Sequence, residues 1–61
     1  MRYLCRRVIL NNEEYGLSIV EIDGESVTIK PFDREIHSTS YVEGVIVIKT
    51  ENGRLTSFVI N

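Results

Sequence analysis

The stretch VIVIKTENGRLTSFVI, residues 45–60, decides the fold class of this 61-residue chain. At its centre lies Asn52-Gly53, a strong short signal for a two-residue β-hairpin turn, because both residues tolerate the positive φ angles of a type I′ turn. Apolar and β-branched residues flank the turn on both sides, as expected of paired strands. The pattern therefore predicts an antiparallel hairpin whose strands are residues 41–50 and 54–60.

Both faces of this predicted hairpin are apolar, whereas an antiparallel sheet in a small monomer usually shows water one polar face. A two-residue turn places Val47 opposite Phe58 on one face and Ile46 opposite Val59 on the other. A three-residue loop shifts the pairing by one residue but leaves both faces apolar. We expect the domain core to cover one face, and a loop, residues 33–40 or a second copy of the chain to cover the other.

Upstream of this hairpin, Asp23-Gly24 separates two further apolar runs and predicts a second hairpin. If these two residues form the loop, Val20 faces Val27 across the strands. Pro31 has no amide to donate, so it marks the end of the third strand or an edge position in it. The alternation gives the core face of this hairpin four residues: Val20, Ile22, Val27 and Ile29.

These patterns predict an all-β protein, built as a single small antiparallel meander or a partly open barrel of about five strands. The composition agrees, because the chain has no Ala, Gln or Trp, and Val, Ile and Thr fill 19 of 61 positions. Gly44, inside the fourth strand, is expected to let the sheet bend. A chain this short holds one core, so residues 1–61 form one domain. The predicted strands are residues 3–10, 15–22, 27–32, 41–50 and 54–60.

The charge of the chain argues against a general polyanion-binding surface. Nine acidic residues against seven basic ones give a formal net charge of −2. Small barrels can nevertheless bind single-stranded nucleic acid by stacking bases on aromatic side chains beside basic ones. The alternative hypothesis of a nucleic-acid-binding strip rests on four residues of the first strand: Arg2, Tyr3, Arg6 and Arg7.

The sequence contains few candidate catalytic residues. The only histidine, His37, lies close in sequence to Asp33 and Ser38, but neighbours on one extended segment point in alternating directions. We expect His37 to be a loop residue and Cys5 to be a small buried apolar residue. The chain shows neither a glycine-rich phosphate loop nor metal-ligand spacing. We therefore expect no enzyme, no cofactor and no metal site.

The sequence also indicates a compartment. One cysteine cannot form an internal disulfide, so nothing requires an oxidising environment. The longest apolar run, Val45 to Ile48, is far too short to span a bilayer, and no run of signal-peptide length follows the amino-terminal arginines. We expect a cytoplasmic protein without a membrane partner.

The functional hypothesis is a non-catalytic β module for protein–protein interaction or self-assembly, as a homodimer or with an unidentified protein. It rests on the two-sided apolar hairpin, which needs a second cover. The competing interpretation is that the same residues are ordinary core residues of a closed monomeric barrel. Arg6 and Glu21 are candidates for a cross-strand ion pair. The candidate interface residues are Tyr41, Val45, Val47, Leu55 and Val59.

Overall fold

The computed structural model of the chain describes residues 1–32 and 39–61, and the predicted loop histidine His37 lies outside them. The described residues form strands and turns without a helix, so the prediction of an all-β domain is confirmed. The strands are β1 (Arg2–Cys5), β2 (Val8–Leu10), β3 (Glu13–Tyr15), β4 (Ser18–Asp23), β5 (Ser26–Pro31), β6 (Ser40–Val42), β7 (Ile46–Glu51) and β8 (Arg54–Ile60).

The eight strands overlap the five predicted segments, three of which bend, and β3 includes Glu13 and Glu14, which lie before the predicted second strand. The first segment divides into β1 and β2 at Arg6-Arg7, the second into β3 and β4, and the fourth into β6 and β7 at Gly44. Each bent segment contributes its two halves to different sheets. Sheet A has the order β5-β4-β1-β6, and sheet B has the order β3-β2-β7-β8.

The strand pairing differs from a simple meander, because both sheets are mixed. β1 pairs with β6 in parallel, and β2 pairs with β7 in parallel, while all other pairs are antiparallel. The sheets do not close into a barrel. The edge strands β5 and β8 meet at one corner, where the Leu55 amide donates a hydrogen bond to the Glu25 carbonyl over 2.8 Å.

The core lies between the inner faces of the two sheets. The Tyr3 and Phe58 rings, one from each sheet, pack beside it with centroids 5.4 Å apart. Tyr3 belongs to β1 and Phe58 to β8, so this contact joins strands from opposite ends of the sequence. Six buried side chains make up the centre of the core: Cys5, Val8, Val20, Val42, Ile46 and Ile48.

The first hairpin has the predicted core face but a different register. Gly24 has a φ of +59° and Glu25 has a negative φ, which is the φ pattern of a type II′ turn, so Gly24-Glu25 is the loop. Ile22 therefore pairs with Val27 rather than with Glu25. A shift of two residues keeps side chains on the same face, so Val20 and its three predicted companions still face the core. Pro31 lies on the edge strand β5, as predicted.

The second hairpin has the predicted turn and an unpredicted bulge. Asn52 and Gly53 have φ angles of +53° and +76°, and the hairpin closes with Glu51 opposite Arg54. The register then shifts between Lys49 and Thr50, so that Ile48 faces Phe58 and Val47 faces Val59. The predicted pairing of Val47 with Phe58 is therefore wrong by one residue. Leu55 lies before the shift, opposite Thr50, and packs against the core, whereas after the shift Phe58 lies on the core side and Val59 on the outer side.

Candidate interaction surface

The outer face of sheet B carries a row of three branched apolar side chains. Ile9 on β2 is paired with Val47 on β7, and Val47 is paired with Val59 on β8. Their neighbours Val8, Ile46 and Ile48 point to the core, so Ile9, Val47 and Val59 point to the opposite side. We call these three residues the valine face.

The valine face is more exposed to solvent than the core side of the same strands. Along β7, Ile46 and Ile48 are fully buried, whereas Val47 between them is only partly buried. Val59 is 45% exposed, and Ile9 is partly buried like Val47. The two-sided apolar hairpin predicted from the sequence is therefore present, and its second side is less buried than its core side.

The row of the valine face ends in charged residues on the β3 side only. The row ends there at Glu14, the cross-strand partner of Ile9, and Glu14 is paired with Arg7 over 3.0 Å. On the β8 side the row ends at Val59. The next outward row of the two strands holds Lys49 opposite Ser57. The apolar row therefore reaches the β8 edge of the sheet without a charged residue at its end.

The structure brings together some of the predicted interface residues and separates others. Val47 and Val59 are direct cross-strand partners on the valine face. Val45 lies just before β7, is partly buried, and exchanges two backbone hydrogen bonds with Asn61. Leu55 packs against the core, so it does not belong to this surface. Tyr41 is 52% exposed but lies on β6 in sheet A, so it is not next to the valine face either.

Sequence reasoning did not single out Ile9 as part of this surface. The alternation within the first segment contained the signal, because Ile9 has the opposite parity to Val8 and Leu10. The signal was insufficient because placing Ile9 beside Val47 requires the parallel pairing of β2 with β7, which joins residues far apart in sequence.

The predicted nucleic-acid strip is broken up in the structure. The Arg2 guanidinium contacts Glu21 over 3.0 Å, and that of Arg7 contacts Glu14 over the same distance. Tyr3 packs its ring on Phe58 beside the core, where it is not free to stack on a base. Arg6 is exposed at the bend between β1 and β2. Two of the three arginines therefore have their charges paired with carboxylates.

Glu21 forms the centre of a charge cluster on the outer face of sheet A. Its Oε1 atom lies 2.7 Å from the Lys30 Nζ and 3.0 Å from the Arg2 Nη2. The hydrogen bond from Lys30, followed by that from Arg2, lowers the pKa of the Glu21 carboxyl below its usual value of 4.5. The predicted pair of Glu21 with Arg6 is wrong, because the register of β1 on β4 places Arg2 opposite Glu21.

Two open grooves lie away from the valine face. One, of about 350 Å³, runs beside Tyr15, Leu17 and Pro31, and the other, of about 440 Å³, lies between Glu25 and the Asn52 turn. Cys5 lines neither groove, because it is fully buried at the bend, with its thiol 3.1 Å from the Arg7 carbonyl oxygen. Neither groove therefore exposes the Cys5 thiol to solvent.

Within residues 1–32 and 39–61, no helix has the length and apolar character needed to cross a membrane. Comparison with known proteins gives no family model, no curated sequence and no solved structure that matches this chain. The case for a function therefore rests on the geometry and chemistry of the chain itself.

Proposed function

We propose that this protein is a non-catalytic interaction module that self-associates through sheet B, at the edge where the valine face reaches β8. The observation that carries the proposal is the row of Ile9, Val47 and Val59, which lies in direct register across three strands on the solvent side of sheet B. A contiguous apolar row on a sheet face is a typical protein-contact surface.

The small size of the domain gives its apolar surface an energetic reason to make further contacts. A 61-residue chain hides only about 60% of its unfolded surface on folding, so its own core is small. Burying an exposed branched side chain contributes about 1–2 kcal/mol. An interface with so few apolar residues is smaller than a standard one, so we expect the dimer to be weak.

The proposal includes a reducing compartment such as the cytoplasm. Cys5 supports it, because this residue is a free, fully buried thiol in the core. In that position it serves as a small apolar side chain and forms no disulfide.

The alternative function, binding of single-stranded nucleic acid, has weaker support. Its basic strip would need free arginine charges beside an accessible aromatic ring. Glu21 and Glu14 pair with two of the arginines, and the Tyr3 ring packs on Phe58. Fluorescence anisotropy with labelled single-stranded RNA and DNA at low salt tests this alternative, and tight binding there would favour it over the interaction module.

Methyl NMR during a dilution series tests the proposed function. We expect the methyl groups of Val59, at the β8 end of the row, to change chemical shift with concentration, while the core methyl groups of Ile46 and Ile48 change little. Methyl chemical shifts that do not change with concentration would count against self-association.

Two lysine variants locate the surface. Val59→Lys places a charge at the β8 end of the valine face and is expected to give a monomer in sedimentation velocity. Thr28→Lys adds the same charge to the exposed outer side of sheet A, so it is expected to associate like the unmodified chain. Equal association of the two variants would show that the valine face is not the contact.

A further inference from the structure

We infer that the edge strand β8 pairs in antiparallel fashion with β8 of a second copy, so that sheet B continues across the dimer. This inference rests on the proposed function and specifies how the two copies meet. Three observations support this inference. The outward backbone groups of Phe58 and Ile60 on β8 are unpaired within the described residues, β8 lacks residues that protect an edge strand, and the valine face ends at this edge.

The first observation concerns the backbone groups of β8. Val45 and Asn61 exchange both backbone hydrogen bonds, at 3.0 and 2.8 Å, so they form a hydrogen-bonded pair. Hydrogen-bonded and non-bonded pairs alternate along an antiparallel ladder. Val47 and Val59 are therefore also a hydrogen-bonded pair, whereas the N–H and C=O groups of Phe58 and Ile60 point away from β7. No backbone hydrogen bond to these outward groups is found within residues 1–32 and 39–61.

The second observation is that β8 lacks the features that protect the other edges. Exposed edge strands usually avoid pairing with other chains by charge, proline or short length. β3 carries Glu13 and Glu14, β5 carries Lys30 and Pro31, and β6 is only three residues long. β8 is seven residues long, and residues 55–60 contain neither a charge nor a proline. This edge is therefore the one best suited to accept another strand.

The third observation is the geometry that a two-fold axis at Val59 produces. Phe58 of one copy then forms a hydrogen-bonded pair with Ile60 of the other, and the axis repeats this pair, so the outward groups of both residues find partners. Val59 faces Val59 of the second copy in the non-bonded pair between them. The two valine faces then join end to end into one apolar row that crosses both copies.

A second copy fits this edge because the edge is complementary to itself. Two-fold symmetry places identical residues near each other, so a charged edge strand would bring like charges together. Residues 55–60 avoid this penalty because they are uncharged. The corner contact between Leu55 and Glu25 lies at the turn end of β8, whereas Val59 and Ile60 at the other end are exposed.

Disulfide trapping tests the inference with matched cysteine variants. Val59→Cys places two thiols at the proposed axis, where the Cα atoms of a non-bonded antiparallel pair are about 4.5 Å apart. Val47→Cys lies on the same face, but the two copies of residue 47 are three strand spacings apart, or about 14 Å, beyond the reach of a disulfide. Cys5 is fully buried and can remain in both variants.

We expect mild oxidation of the folded chain to cross-link Val59→Cys at least about ten-fold faster than Val47→Cys, because only the former meets the geometric limits of a disulfide. Sedimentation of the reduced unmodified chain is measured in parallel. A dimer in which Val47→Cys cross-links as fast as Val59→Cys, or in which neither does, overturns β8 pairing but leaves self-association standing. A monomer at all concentrations overturns both proposals.

Discussion

Gly44 lies against the carboxyl-terminal residue Asn61, whose backbone carbonyl oxygen occupies the position that a Cβ atom on Gly44 would need. The same carbonyl accepts a hydrogen bond from the Val45 amide over 3.0 Å. Gly44 also has a φ of +104°, which favours glycine. The bend between β6 and β7 and the end of β8 therefore depend on this one residue.

Replacing Gly44 with alanine is expected to lower the free energy of unfolding by roughly 2–4 kcal/mol, because it adds both backbone strain and a steric clash. The matched control is Gly16→Ala, since a Cβ atom at Gly16 meets nothing within 4 Å. Urea denaturation measures both variants. Equal losses for the two would show that the contact with Asn61 does not constrain the bend.

Asn11 connects the turn between β2 and β3 to β7. Its side chain donates to the Thr50 hydroxyl over 2.8 Å and accepts from the Thr50 amide over 2.9 Å. We expect Asn11→Ala to lower the free energy of unfolding by about 1–3 kcal/mol, as measured by urea denaturation. The variant loses these two hydrogen bonds, and alanine is strained at the positive φ of 48°.

Asn12 is the control for that variant, because it shares the positive φ but has no side-chain hydrogen bond to a described residue. Asn12→Ala should therefore lower the free energy of unfolding only by the amount that comes from backbone strain. If Asn12→Ala were as destabilising as Asn11→Ala, the bonds to Thr50 would contribute nothing to stability.

The Glu21 cluster predicts a pH dependence of stability. The pKa of Glu21 is lowered in the folded protein, so its contribution is fully present above the usual value of 4.5 and is lost as the pH falls through the folded-state pKa. The stability difference between the unmodified chain and Glu21→Gln should therefore shrink as the pH is lowered below 4.5.

Titration of the Glu21 carboxyl by NMR checks the cause of this shift. Lys30→Met should raise the Glu21 pKa more than Arg2→Met, because the hydrogen bond from Lys30 is the largest influence on it. The opposite order of the two variants would assign the shift to Arg2 instead.

Amide hydrogen exchange reports on the outward groups of β8. The Phe58 and Ile60 amides point away from β7, so a monomer leaves them open to solvent, whereas strand pairing protects them. We expect their protection to increase with protein concentration. The Val59 amide lies in the ladder with β7 and should be protected at every concentration.

The sequence predicted the local features of this fold better than its long-range pairing. The Asn52-Gly53 turn and the bend at Gly44 are confirmed because each depends on the backbone preference of one or two residues. The parallel pairings of β1 with β6 and of β2 with β7 join distant segments, and no local pattern specifies their register.

The residues of the candidate surface could also be predicted only in part. Val47 and Val59 could be recognised because they belong to one hairpin with two apolar faces. Leu55 was misplaced because the bulge lies between it and Val59 and puts the two side chains on opposite faces, and Thr56, the extra residue, is not a type that marks a bulge in sequence. The pairing of Glu21 with Arg2 followed from the register of β1 on β4, which could not be derived from charge spacing alone.

Sedimentation equilibrium of the unmodified chain over a wide concentration range tests the central claim most directly. The protomer mass is 7.0 kDa, so self-association through sheet B predicts a mass that rises with concentration toward twice that value, 14 kDa. A mass that stays at 7.0 kDa up to millimolar concentration would contradict it.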